Sequence, residues 1–131
     1  MQWLIDLVIE SIGVPPVFID RGDPASDDFA VIALTRNGAW HNLDLSGIVP
    51  SNASAVAMVA WLGSPVINRW FELRKKGNIN NFNENYLITQ VANIATAGNF
   101  VVPIGTDGLL EYKFQDGTFN QGAITVKGWW L

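Results

Sequence analysis

The sequence predicts an all-β fold, a sandwich or barrel of eight or nine short strands. Several short stretches alternate apolar and polar residues, which is the period of a half-buried strand. Turn-forming Gly, Pro, Asn and Asp separate these stretches at short intervals. The length of 131 residues fits one domain around one core. Together these observations favour an antiparallel sheet architecture over a helical one.

The C-terminal stretch carries the clearest strand pattern. Ile124 and Val126 point to one face of an extended chain and Thr125 to the other. Trp129 and Trp130 follow, and a Trp-Trp-Leu terminus left in water would form a large apolar patch. We therefore predict that this stretch is a strand docked in the core or against a neighbouring subunit, with the two tryptophans on opposite faces.

The remaining strands are predicted from the same pattern and its turn signals. They are expected at residues 17–19, 29–34, 39–45, 55–62, 66–74, 86–92, 99–104, 109–114 and 121–131. Asn37-Gly38 predicts a hairpin that joins the second and third of them. The fourth is apolar at every position, which suits a strand buried on both faces or a helix, and its length favours the strand. Residues 3–12 fit either a first strand or a short helix, and the β character of the rest favours the strand.

Composition limits the function classes. Charged residues make up 15% of the chain and the net charge is −4, so a basic nucleic-acid interface is not expected. The chain has no cysteine, which excludes disulfides and thiolate chemistry and fits assembly in a reducing cytosol. His41 is the single histidine, so a multi-histidine metal site within one chain is impossible. We expect no cofactor and no metal ion.

The apolar N-terminus does not have the pattern of a targeting signal. It carries Asp6 and Glu10 and no basic residue, whereas a secretory signal begins with positive charge. It is also too short to span a bilayer as a helix. We expect neither a targeting segment nor a membrane segment.

The loop between the first two predicted strands contains two candidate recognition features. Arg21-Gly22-Asp23 matches the integrin-recognition tripeptide, but glycine and aspartate are ordinary turn residues. The aspartates could supply oxygen ligands to calcium, yet their spacing does not match an EF-hand. A solvated acidic loop is the simpler interpretation of the four aspartates, Asp20, Asp23, Asp27 and Asp28.

A glycosidase would need two carboxylates on one face, and Glu72 and Glu111 are the strand-borne candidates. Each has a basic residue two positions away, Arg74 or Lys113, so ion pairing within the sheet is the simpler interpretation. No serine lies in a nucleophile-elbow sequence. We therefore predict no catalytic residues and no enzymatic activity.

Aromatic residues are frequent enough to suggest sugar stacking. Tryptophans in strands usually fill cores or interfaces, and this applies to Trp61, Trp70, Trp129 and Trp130. Trp3 and Trp40 are freer to act as surface anchors. An aromatic and basic cluster suggestive of single-stranded nucleic acid is more simply a solvated strand end; it comprises Arg74, Lys75, Lys76, Phe82 and Tyr86.

A series of short motifs resembles a family of small β-domains found among the virion proteins of tailed bacteriophages. The motifs are Trp40-His41-Asn42-Leu43-Asp44-Leu45-Ser46, Ile48-Val49-Pro50, Phe71-Glu72-Leu73-Arg74-Lys75-Lys76-Gly77-Asn78, Thr89-Gln90-Val91-Ala92-Asn93, Thr106-Asp107-Gly108, Leu109-Leu110-Glu111-Tyr112 and Ile124-Thr125-Val126-Lys127-Gly128-Trp129-Trp130. The resemblance implies a jelly-roll-like antiparallel β-sandwich that decorates a capsid or forms part of a head or tail fibre.

The resemblance also implies partners and a location. The expected partners are further copies of the chain, as a homotrimer, and other virion proteins such as the major capsid protein. The expected location is the virion, assembled in the host cytoplasm, with no nucleic-acid or membrane partner. The alternative is a carbohydrate-binding module that recognises surface glycans; an exposed row of tryptophans would favour it.

The resemblance divides the chain into two parts. Residues 17–131 form the β-sandwich domain, and residues 1–16 lie outside the match as an attachment or oligomerisation segment. An isolated sandwich does not need the extra apolar side chains of that segment. The residues expected at an oligomer or capsid contact are Trp3, Leu4, Leu7, Val8, Ile12, Trp129 and Trp130.

Overall fold

A computed structural model describes residues 15–131 of the chain. The predictions made for residues 1–14, which include the first strand and the contact residues Trp3, Leu4, Leu7, Val8 and Ile12, lie outside the described residues. The described chain forms nine strands: β1 (Phe18–Asp20), β2 (Phe29–Ala30), β3 (His41–Asp44), β4 (Ala55–Gly63), β5 (Trp70–Lys75), β6 (Asn85–Ile88), β7 (Thr96–Pro103), β8 (Leu109–Phe114) and β9 (Gln121–Trp130). Two short 3₁₀ helices span Val31–Ala33 and Asn81–Asn83.

The strands form two antiparallel sheets with the order of a jelly roll. One sheet has five strands in the order β1-β9-β4-β7, with β2 also pairing with β9. The other has four strands in the order β3-β8-β5-β6. From β2 to β9, the strands follow the order of a double Greek key, with β2, β9, β4 and β7 in one sheet and β3, β8, β5 and β6 in the other. The predicted all-β, jelly-roll-like sandwich of eight or nine strands is confirmed.

The core lies between the two sheets and is filled by alternate residues of each strand. In β8, Leu110, Tyr112 and Phe114 are buried while the residues between them are partly exposed. Phe114 packs against Phe71 and Phe119 at ring-centroid distances of 4.8 and 5.0 Å. Burial of this kind stabilises a fold by about 25 cal/mol per Å² of apolar surface. The period-2 pattern therefore places one face of each sheet inside and leaves two outer faces for function.

β1 and β2 lie one after the other along the same edge of β9. Phe18 is opposite Trp130, and Phe29 is opposite Ile124. Residues 22–27 leave the sheet between the two strands and form what we call the edge loop. The pairing of β9 with its neighbour on this edge is therefore interrupted.

An ion pair fills the interruption at Val126. The Arg21 guanidinium donates from Nη2 to Oδ1 of Asp28 at 2.7 Å and from Nη1 to the Val126 carbonyl at 3.0 Å. The Val126 N–H donates to Oδ2 of Asp28 at 2.8 Å. The hydrogen bonds that Arg21 donates to Asp28 also raise the pKa of Arg21. Two side chains thus bond the backbone groups that a strand neighbour would otherwise satisfy.

The loops that follow β2, β4, β6 and β8 meet at one end of the sandwich. The buried Ser64 hydroxyl donates to Oγ1 of Thr118 at 2.8 Å. The buried Thr89 hydroxyl accepts from the Arg69 N–H at 2.9 Å. Since buried polar groups without partners are costly, these bonds fix the loops relative to one another.

Three predictions about local structure are corrected. Asn37-Gly38 does form a turn, but the strands on either side belong to different sheets: β2 pairs with β9, and β3 pairs with β8. The strand predicted at residues 29–34 ends at Ala30, because a 3₁₀ helix begins at the next residue, Val31. The strand predicted at residues 66–74 begins only at Trp70, after a bend at Asn68, whose φ is +57°.

Candidate functional site

The outer face of the four-stranded sheet carries a cluster of charged residues that we call the charged face. The register of β5 and β8 places Glu72 opposite Lys113 and Arg74 opposite Glu111. Side chains directly opposite each other share a face. Glu84, just before β6, completes the cluster.

Ion pairs join these five side chains. Lys113 Nζ lies 3.1 Å from Oε2 of Glu72, and Arg74 Nε lies 3.2 Å from Oε1 of Glu111. Arg74 Nη1 also lies 3.8 Å from Oε1 of Glu84. The predicted ion pairing within the sheet is confirmed, although the partners lie across the strands and not two positions along them. Glu72 and Glu111, the two candidate carboxylates for glycoside hydrolysis, each face a cation of their own.

Glu84 is the most deeply buried charge of the group, with 5% of its side chain exposed. Burial raises the pKa of Glu84, and repulsion from Glu72 raises it further, outweighing attraction to Arg74 and Lys113. The charged face holds three carboxylates and two cations, so it has a net charge of about −1 when all five groups are ionised. Its electrostatic character disfavours anions.

Aromatic rings cover both ends of the charged face. The Trp40 ring lies beneath the Arg74 guanidinium, with Cζ 3.8 Å from the ring centroid, and Lys113 Nζ is 4.9 Å from the same centroid. These are cation–π distances. Trp70 meets Tyr86 edge to face at 5.5 Å and remains 40% exposed. Trp40 is therefore engaged with charges, whereas Trp70 presents an indole surface to solvent.

A cleft of about 220 Å³ opens beside Trp70. It is lined by Gly38, Trp70, Glu72, Lys113 and Gln115. Gly38 has a φ of +80°, and a Cβ there would lie 3.0 Å from the Gln115 carbonyl oxygen, so glycine keeps this wall open. The Oε2 atom of Glu72 is buried and has no hydrogen-bond donor among residues 15–131. Lys113 neutralises that oxygen by proximity but approaches it outside hydrogen-bond geometry.

The sequence already contained the signal for this site. The alternation of β5 places Trp70, Glu72 and Arg74 on one face and the buried Phe71 and Leu73 on the other. What it did not contain was the sheet order. Only the pairing of β5 with β8 and β6 brings the outward residues of three distant segments together.

The outer face of the five-stranded sheet is mostly apolar near the C-terminus. Two neighbouring rows of paired residues cross β1, β9, β4 and β7 there, and their side chains share the outer face. We call these rows the apolar patch; they comprise Phe18, Trp130, Ala55 and Pro103, then Asp20, Gly128, Ala57 and Val101. Phe18 and Val101 are 45% and 56% exposed, and Asp20 is the single charged member.

The two C-terminal tryptophans lie on opposite faces of β9, as predicted. Trp129 packs against the core, and Trp130 stacks on Phe18 at a centroid distance of 4.8 Å within the apolar patch. Both are only partly exposed in the single chain. Of the residues expected at an oligomer contact, Trp130 is thus placed on an outer surface and Trp129 is not.

The structure separates the residues of the Arg21-Gly22-Asp23 tripeptide. The Arg21 guanidinium is bound by Asp28 and Val126, while Gly22 and Asp23 stand exposed in the edge loop. The four aspartates do not converge: Asp27 accepts from the Thr125 hydroxyl at 2.8 Å, away from the Arg21 pair. Within residues 15–131 no three His, Cys, Asp or Glu side chains are grouped so as to hold a metal ion.

The asparagine-rich loop between β5 and β6 presents two apolar side chains to solvent. Phe82 and Ile79 are 95% and 86% exposed. Two of the three basic residues before this loop have partners elsewhere: Arg74 in its ion pairs and Lys76 with Oδ1 of Asn42 at 2.8 Å, whereas Lys75 is exposed. Aromatic and basic groups are therefore not arranged as a strand of alternating stacking and phosphate contacts.

No helix of residues 15–131 is long and apolar enough to cross a membrane. Comparison of the sequence with models of protein families and with curated proteins gives no match. Two surfaces on opposite sheets, the apolar patch and the cleft of the charged face, are therefore the features from which function is argued.

Proposed function

We propose that this protein is a non-enzymatic structural component of a bacteriophage virion, a capsid decoration protein or part of a head or tail fibre. It acts as a homotrimer that also contacts other virion proteins, such as the major capsid protein. The observation that carries the proposal is the apolar patch, because contiguous exposed apolar surface in a small domain marks an interaction site.

The position of the patch supports self-association. The pairing of β1 with the end of β9 places Phe18 and Trp130 side by side. Residues 1–16 directly precede β1, so the segment proposed for attachment joins the fold at the patch. A closed homo-oligomer buries the same patch on every copy, which explains why one domain carries both features.

The assembly proposal is tested by placing a charge in the patch. Val101→Lys introduces a cation at the β7 end of the apolar patch, where it would have to be desolvated without a partner in the proposed contact. Val91→Lys is the matched control, since Val91 is 52% exposed and lies in the loop between β6 and β7, outside the patch. Light scattering should give a trimer mass for the parent and the control, and a monomer mass for Val101→Lys.

A monomer mass for the parent chain at high concentration would contradict self-association. The virion role has its own test, in which purified protein is mixed with phage particles and examined by electron microscopy. Symmetrically placed added density on heads or tails is expected, and particles indistinguishable from untreated ones would contradict the structural role.

A second candidate function is glycan binding, and the Trp70 cleft is the observation that favours it. Trp70 is 40% exposed and lines the cleft together with Glu72, Lys113 and Gln115. Sugar sites combine an aromatic platform with a few polar groups that fix orientation. A receptor-binding role of this kind is compatible with assembly, because the two surfaces are on opposite sheets.

A further inference from the structure

Glu72 sets the charge of the cleft wall. Its Oε2 atom is buried and accepts no hydrogen bond within the described chain. Lys113 Nζ lies 3.1 Å from this atom and pairs with its charge. The carboxylate is thereby held in the wall of the cleft, where a neutral hydroxyl donor suits it better than an anion.

The other walls of the cleft complement a hydroxyl-bearing ring. Lys113 supplies donors beside Glu72, at 3.1 Å from Oε2. The side-chain Oε1 of Gln115 accepts a hydrogen bond from the backbone N–H of Trp70 at 3.0 Å. The donor end of the Gln115 amide is therefore left for another partner. Adjacent hydroxyls of a sugar can donate to a carboxylate and accept from an ammonium or amide at the same time.

Trp70 provides the apolar contact that such a ring requires. Its indole is 40% exposed and is fixed edge to face by Tyr86 at 5.5 Å. A ring fixed by its neighbours loses little conformational entropy when a ligand stacks on it. The cleft volume of about 220 Å³ is below the range of about 300–1,000 Å³ typical of drug-sized ligands, so it suits a single ring.

We infer that the Trp70 cleft binds one neutral pyranose ring, stacked on Trp70 with its hydroxyls bonded to the Glu72 carboxylate, Lys113 and Gln115, which line the cleft. This inference rests on the glycan-binding candidate and is independent of the assembly proposal. Acidic sugars are disfavoured, because a ligand carboxylate placed on Lys113 would also lie next to Glu72. The chain would then use one sheet for assembly and the other for attachment to glycans.

The test is a titration followed by the tryptophan indole N–H signals in ¹H–¹⁵N NMR spectra. The neutral probes are the methyl pyranosides of glucose, galactose and mannose, together with N-acetylglucosamine. Glucuronate is the acidic probe and tetramethylammonium the cationic one. At least one neutral probe should shift the Trp70 indole signal saturably, with a dissociation constant of about 1 mM, typical of so small a contact.

Matched variants locate the site. Trp70→Ala should abolish the saturable shift, whereas Trp61→Ala, which removes an indole of similar exposure (42%) from the other sheet, should leave the affinity unchanged. Gln115→Glu keeps the oxygen that accepts from the backbone N–H of Trp70 but replaces the amide donor with a second oxygen. It should therefore weaken binding by about tenfold. This variant answers the question if Trp70→Ala fails to fold.

Three results would overturn the inference. One is the absence of a saturable shift with every neutral probe at about 50 mM, far above the expected dissociation constant. Another is preferential binding of glucuronate or tetramethylammonium. The third is equal loss of binding in Trp61→Ala and Trp70→Ala. The trimer mass measured for these variants reports separately on the assembly proposal, so failure of one proposal is distinguishable from failure of the other.

Discussion

Among residues 15–131, Val126 has no strand neighbour on one side, and its backbone groups bond to Asp28 and Arg21 instead. The Asp28 side chain is 9% exposed and that of Arg21 is 20% exposed, so water competes weakly with these bonds. Hydrogen bonds to charged groups contribute about 1.5–3 kcal/mol when they are shielded. This ion pair therefore stabilises the fold, unlike an exposed one.

Removing the carboxylate of Asp28 should be costly. Asp28→Ala leaves both the Val126 N–H and the Arg21 guanidinium without their acceptor, and we expect a loss of about 2–3 kcal/mol in the free energy of unfolding. Asp28→Asn keeps an acceptor oxygen and should lose about 1 kcal/mol. Urea denaturation measures both. Asp27→Ala, in the exposed edge loop, is the control and should change stability by about 0.5 kcal/mol or less; equal effects of all three variants would refute the bonding role.

Glu84 gives the charged face a pH dependence of definite sign. Because burial and Glu72 raise the pKa of Glu84 above its ordinary value of 4.5, the folded chain binds the proton more tightly than the unfolded chain. The stabilising contribution of Glu84 to the free energy of unfolding is fully present below pH 4.5. It is lost as the pH rises through the raised pKa of the folded state. Relative to the parent, Glu84→Gln should therefore gain stability in urea denaturation as the pH rises above 4.5.

Asp116 provides the control of opposite sign. Burial acts to raise its pKa, but the Thr118 hydroxyl and N–H, which donate to Oδ1 at 2.6 and 3.0 Å, and the Arg69 charge lower it overall. The stabilising contribution of Asp116 to the free energy of unfolding is present above pH 3.8, the ordinary pKa of an aspartate. It is lost as the pH falls through the lowered pKa of the folded state. Asp116→Asn should be less stable than the parent at neutral pH and approach it in acid. Parallel pH profiles for the two variants would contradict this assignment.

At the scale of elements, β9 is the strand on which the five-stranded sheet depends. It pairs with β4 on one side and with β1 and β2 on the other. Within the described part of the chain, β1 pairs with the last three residues of β9, from Gly128 to Trp130. The C-terminus consequently anchors the first strand of the domain as well as itself.

Deletion of residues 129–131 should destabilise the domain strongly. It removes Trp129 from the core, removes the Trp130 contact with Phe18, and leaves β1 without most of its partner. Loss of one large aromatic side chain alone costs about 3–5 kcal/mol, which we take as the expected effect in thermal and urea unfolding. Deletion of Leu131 alone, 43% exposed, is the control and should cost about 1 kcal/mol or less. An unchanged melting temperature after the longer deletion would show that the terminus is not docked.

Strands were predicted well where apolar and polar residues alternate within the strand itself. Which strands pair with each other was predicted poorly. The strand at residues 109–114 is observed as Leu109–Phe114, and the final strand begins at Gln121 as expected. The Asn37-Gly38 signal, in contrast, suggested a hairpin that does not exist. Local turn chemistry fixes the backbone at Gly38, but the partner of each flanking strand is chosen by core packing across the two sheets.

At the scale of the whole molecule, the two outer faces have different chemistry. The five-stranded sheet presents the apolar patch, whereas the four-stranded sheet presents ion pairs and an open cleft. The alternation within each strand predicted that outward residues exist, but not which of them become neighbours. The charged face depends on contacts such as Arg74 with Glu111, 37 positions apart, which no local pattern contains.

The edge loop has a consequence for the tolerance of this domain to added sequence. Its two ends are fixed at one position on β9 by the Arg21–Asp28 pair, and its middle, from Gly22 to Asp27, is exposed. The closure entropy of such a loop grows slowly, by about 0.6 kcal/mol for each doubling of length. A peptide epitope introduced between Pro24 and Ala25 would thus be carried at the rim of the sandwich, outside both the apolar patch and the Trp70 cleft, with the ion pair closing the fold beneath it.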